Sequence, residues 1–149
     1  MNESAIEAAV RAIVKVNDGC AIFLGNQKKV FIILVDPGIG GAIIMSAVAA
    51  RKERRLTHDL LASILQALGA KIERVTINDL KNGIYFARLV VNVQNELQQK
   101  VVEIDARPSD CIAMAIRQKA PIYVSLDVWS EVEDMTTELR RLQEESDEG

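Results

Sequence analysis

Residues 101 to 118 place Glu103, Asp105, Arg107, Ser109 and Asp110 close together between two apolar segments. Phosphodiester hydrolysis needs a nucleophilic water and charge stabilisation on the phosphate, and a divalent metal held by carboxylates supplies both. Glu103 and Asp105 are two residues apart and share one side of an extended chain, with Asp110 just beyond a turn. Those three form a candidate oxygen-ligand set for Mg2+ or Mn2+, and Asp105 and Asp110 are also candidate catalytic carboxylates. Arg107 is a candidate bidentate fork for a phosphate oxygen, with Ser109 beside it as a second substrate-binding group. The plainer alternative has Ser109 and Asp110 capping a helix, Arg107 paired with Asp105, and Glu103 facing solvent.

His58 is the only histidine in the chain, so a two-histidine mechanism is ruled out. It is a candidate general acid for the leaving oxygen, with Asp59 beside it in the catalytic set, or else a structural residue at a helix start. Arg51-Lys52-Glu53-Arg54-Arg55 is the only dense basic cluster. Arg51, Lys52, Arg54 and Arg55 are either phosphate-backbone contacts or the solvated face of a connector.

The elements that position these groups follow from periodicity. Val102 and Ile104 alternate with Glu103 and Asp105 as in a half-buried strand, and Pro108 suits the first turn of the helix that follows. Thr57 is placed to cap a helix, Asp59 sits in its first turn, and Leu56 is placed to staple to Leu61. Leu60, Leu61, Ile64, Leu65 and Leu68 form one apolar stripe closed by Gly69. Earlier, residues 2–8 read as a frayed end, Val10–Val16 and Ala21–Leu24 as paired strands about a turn, and Val30–Val35 as a buried strand. Ile39–Ala50 reads as a buried helix whose first turn Gly40 and Gly41 weaken. Lys71–Asn78 and Ile84–Val93 flank the hairpin signal Lys81-Asn82-Gly83, and Ile122–Ser125 is a short strand. Val128, Val132, Met135, Leu139 and Leu142 mark a helical seam, and the acidic stretch Glu144–Gly149 reads as disordered.

The two halves echo each other. Val14-Lys-Val-Asn-Asp-Gly parallels Val75-Thr-Ile-Asn-Asp, and the stretch from Val35-Asp36 parallels that from Ile104-Asp105. The pattern implies an α+β fold of duplicated strand-strand-strand-helix units, mainly antiparallel sheet with packed helices. It divides into a body over residues 1–126 and a C-terminal helix with an acidic tail over 127–149.

With 149 residues, a hydrophobic fraction of 49% and a charged fraction of 26%, the chain suits one soluble globular domain. A net charge of −3 argues against a generic nucleic-acid coat, and 4% aromatics against a base-stacking surface. Cys20 and Cys111 show no metal-binding spacing. No signal-peptide pattern or bilayer-length apolar run is present, so the default setting is cytoplasmic, with no membrane partner.

At Leu56-Thr-His-Asp-Leu-Leu, and again at Ile104-Asp-Ala-Arg-Pro-Ser-Asp-Cys-Ile-Ala-Met-Ala, the chain resembles the bifunctional nuclease family. Its members share a domain linked to DNase and RNase activity. The likeness is specific from Leu56 to about Ser125 and holds only in outline before it. Where the family commonly carries an acidic residue at the first helix entry, this chain has Ile39 and glycines. The resemblance implies an α+β domain forming a homodimer or higher oligomer and acting on DNA or RNA. Two functions follow: a metal-assisted nuclease of low sequence specificity, or a non-catalytic dimeric module that binds a protein or an anion.

Overall fold

The computed structural model describes residues 5–47 and 57–148. Strands β1 (Ala5–Val16), β2 (Gly19–Gly25) and β3 (Val30–Val35) form an antiparallel meander, followed by helix α1 (Pro37–Ala47). After α2 (Thr57–Ala67) the order repeats as β4 (Ala70–Lys81), β5 (Ile84–Gln94), β6 (Gln99–Ala106) and α3 (Pro108–Gln118). β7 (Ile122–Ser125) joins the two meanders, antiparallel to β1 and parallel to β4. One sheet of seven strands results, in the order β3-β2-β1-β7-β4-β5-β6. Helices α4 (Leu126–Glu131) and α5 (Thr136–Glu148) end the described chain. The duplicated α+β plan implied by the sequence is present.

The sheet curls back on itself. Phe31 on the β3 edge and Tyr85 on β5 are distant in strand order, yet their ring centroids are 5.7 Å apart. Trp129 of α4 meets Phe31 edge-on at 6.2 Å. α3 lies in the resulting core, with Cys111, Ile112 and Ala113 wholly buried, so its first turns are enclosed on every side. Each buried aliphatic side chain contributes about 1.5–3 kcal/mol. Asn82 and Gly83 both take positive φ, 52° and 78°, which is the two-residue hairpin that Lys81-Asn82-Gly83 signals.

Several sequence expectations need correction. Ala5–Ala8 is no frayed end: it pairs with β7 from Ser125 to Ile122. The tail is not one helical seam but two helices, with Val128 and Val132 in the main core and Leu139 in a second cluster against Phe23 and Val30. Glu144–Glu148 is helical, because Arg141 bonds Glu138 and Glu145 one turn to either side. Gly40 does not merely weaken α1. A Cβ there would stand 2.3 Å from Cys20 Sγ, so the glycine lets the helix seat on the sheet. The stripe on α2 is largely solvent-facing: Leu60, Leu61, Ile64 and Leu68 are exposed, and Ala62 and Leu65 make the core contact. Thr57, read as the cap, is the first helical residue of α2, and the staple from Leu56 and the end of the helix read to Ala50 lie outside the described residues.

Candidate functional site

The site grows from the start of α3. Pro108 fills the first helical position, where a missing N–H costs nothing, and Arg107 is the N-cap with extended backbone and no side-chain cap bond. Neither Ser109 nor Asp110 caps the helix. Asp110 instead bridges two basic side chains: its Oδ1 lies 3.1 Å from His58 Nε2, and its Oδ2 accepts from Arg107 Nε at 3.0 Å. Burial alone would push the Asp110 carboxyl up, but hydrogen bonds and charge from Arg107 and His58 outweigh it and hold it below its ordinary value.

α2 supplies the other half. His58 is 9% exposed, and it is the buried polar contact between α2 and the first turn of α3. The next residue, Asp59, accepts from Arg117 Nε in the last turn of α3. Two adjacent residues therefore reach groups seven positions apart, about 10 Å along the helix axis. This double tie fixes where the His58 ring sits.

The strand before α3 behaves differently. β6 is an edge strand, and Glu103 and Asp105 lie on its exposed surface. The Asp105 side chain is 85% exposed and accepts from Arg88 Nε of neighbouring β5 at 2.9 Å, in place of the pairing with Arg107 that proximity suggests. Among the described residues, no group of three or more His, Cys, Asp or Glu side chains converges as a metal site. The set Glu103, Asp105 and Asp110 is therefore not assembled: Arg88 engages Asp105, whereas His58 and Arg107 engage Asp110. Arg51, Lys52, Arg54 and Arg55 lie outside the described residues.

A cleft of about 510 Å³ opens beside the site, between β3, the start of β5 and the segment Arg107-Pro108-Ser109. Ser109 is 5% exposed, and its hydroxyl has no hydrogen-bond partner among the described residues. The sequence reading missed Arg88, Arg117 and Tyr85, because the partners of each are distant in the chain. The two helix starts themselves were legible; their contact was not.

A family model described as the bifunctional nuclease domain matches residues 22–136, which includes both helix starts and the cleft. The chain is also similar to two uncharacterized proteins of Mycobacterium tuberculosis, one from strain CDC 1551 and one from strain H37Rv. Each is 32% identical over 99 residues, which is 66% of this chain and 56% of the relative. The chain spans about half the length of the curated relatives it matches. Among the described residues no helix is long and apolar enough to cross a membrane.

Proposed function

This chain belongs to the bifunctional nuclease domain family, and from that membership we propose that it hydrolyses phosphodiester bonds in DNA and RNA with low sequence specificity. The observation that carries the reading is the contact of His58 Nε2 with Asp110 Oδ1 at 3.1 Å, which joins the two motif stretches. An ionised Asp110 accepts Nε2–H and fixes the imidazole orientation, so Nδ1 is the atom that exchanges protons. Neutral, Nδ1 takes a proton from the attacking water; charged, it gives one to the leaving oxygen. Arg107 uses Nε on Asp110, and its terminal nitrogens have no partner among the described residues. They hold a phosphate oxygen in this reading, with the Ser109 hydroxyl as a further donor. The basic run at Arg51 to Arg55, shortly before α2 in sequence, adds salt-sensitive contact to the phosphate backbone.

Among the described residues the carboxylates do not gather into a three-ligand Mg2+ or Mn2+ site, and no step is routed through a metal. Asp59 is a positioning residue here, holding α2 to α3 through Arg117.

A second reading is a non-catalytic, self-associating module. Exposed Leu60 and Ile64, one turn apart on α2, and Leu68 just past its end favour it. Cleavage of labelled single- and double-stranded DNA and RNA, with Mg2+, Mn2+ or EDTA, separates the two. Cleavage that persists through repeated purification supports the nuclease, and its absence under every condition supports the module.

A further inference from the structure

The cleft beside Arg107 lies between two unpaired strand edges. Val30 accepts from Met135 N through its carbonyl, and its own N–H points to Asp134, so both groups face away from β2. Backbone direction alternates along a strand, so the N–H and C=O of Ile32 and Leu34 lie on the same outer edge. Neither residue has a backbone partner on that side among the described residues. Across the cleft, the tight turn at Asn82-Gly83 directs the backbone groups of Ile84 toward Lys81 and those of Tyr85 away from β4. Pairing of β5 with β6 stops at Ala87–Ala106, two residues short of Tyr85. Among the described residues the N–H and C=O of Tyr85 therefore have no backbone partner on that side.

The walls and the end of this gap have their own chemistry. Leu34 and Ile84 are 71% and 61% exposed, so aliphatic side chains flank it. Arg107 stands where β6 leaves the edge of β5, with its terminal nitrogens unpartnered among the described residues. The partnerless Ser109 hydroxyl belongs to the same lining.

We infer that this gap is a strand slot, which takes the C-terminal end of an extended, apolar peptide as an added strand between β3 and β5. Main-chain bonds to Ile32, Leu34 and Tyr85 hold the peptide backbone, and Arg107 with Ser109 receives the terminal carboxylate. Charge complementarity decides for a chain end: Arg107 Nε already serves Asp110, and its two remaining terminal nitrogens match one further carboxylate, whereas a polynucleotide brings a row of phosphates to mostly aliphatic walls. The inference goes beyond the nuclease reading and stands without it. Because both use Arg107, peptide and nucleic acid exclude each other at this point.

The test is an array of synthetic hexapeptides with alternating β-branched residues, each made with a free C-terminal carboxylate and as the C-terminal amide. The full chain should retain a subset of the acids and bind the matching amides at least tenfold more weakly. Arg107→Met, checked for an unchanged circular dichroism spectrum, should lose the same tenfold. By NMR, a retained peptide should slow hydrogen exchange at the amides of Ile32, Leu34 and Tyr85. Retention of no peptide, equal binding of acids and amides, or unchanged exchange at all three amides would overturn the inference. So would protection of those amides by pentathymidylate alone, which would give the cleft to nucleic acid. A peptide retained by a protein that cleaves nothing leaves the slot standing and removes only the nuclease reading.

Discussion

His58 and Asp110 are 52 positions apart in the chain, and their side chains meet at 3.1 Å between the first turns of two helices. The contact turns two separate motif stretches into one site. It also holds α2 against the core helix through a polar bond, beside the apolar contacts of Ala62 and Leu65.

The Asp110 carboxyl is held below its ordinary value of 3.8. A depressed carboxyl contributes stability that is fully present above 3.8 and is lost as pH falls through the lower folded value. The melting temperature of the wild type should therefore exceed that of Asp110→Asn at pH 6, with the gap closing as the solution is acidified below 3.8. A gap that widens toward acid would contradict the assignment.

Cys111 is fully buried, and burial, reinforced by the Asp110 charge, pushes its thiol up to about 12. Thiolate is the reactive form, so Cys111 should resist a thiol reagent at pH 8 until the protein unfolds. Mass mapping of labelled peptides, with and without urea, checks this. Rapid native-state labelling of Cys111 would contradict it.

Gly40→Ala should destabilise the fold by about 1–3 kcal/mol, since the added methyl collides with Cys20. The same change at Gly41, where a Cβ would meet nothing within 4 Å, should be tolerated. Urea melts of the two variants give the comparison.

The exposed stripe on α2 predicts a change in association rather than in fold. Ile64→Lys should alter monomer stability by less than about 0.5 kcal/mol. If the stripe joins two copies, sedimentation velocity will show the variant shifted toward monomer. A wild type that already sediments as a monomer at high concentration would remove this role.

Much of the frame was legible because local rules govern it. The Asn82-Gly83 hairpin, the Pro108 helix start and the strand Ile122–Ser125 all follow from short-range pattern. Tertiary partners decided the rest. Ala5–Ala8 lacks a clear alternation of its own and becomes strand by pairing with β7. The stripe on α2 looked like a core face, yet α3 is buried largely by the sheet and leaves α2 at the rim. The helix starts at Pro37 and Pro108 show that Asp36 corresponds to Arg107, not to Asp105. Asp36 Oδ1 accepts from Ile39 N at 3.1 Å as a cap, whereas Arg107 reaches sideways to Asp110. The carboxylates do not gather among the described residues for a related reason: Arg88, on the neighbouring strand, engages Asp105.

The most direct test of the nuclease reading is the cleavage rate of Asp110→Asn beside the wild type, on labelled single-stranded RNA and DNA. Both are purified identically and checked for folding, with Asp79→Asn from the β4–β5 hairpin as a control for contaminants. Asp110→Asn should fall by at least about 100-fold, the scale of positioned acid–base catalysis, while Asp79→Asn matches the wild type. Equal rates in all three proteins, or no cleavage by the wild type, would contradict the claim that His58 and Asp110 form a phosphodiesterase site.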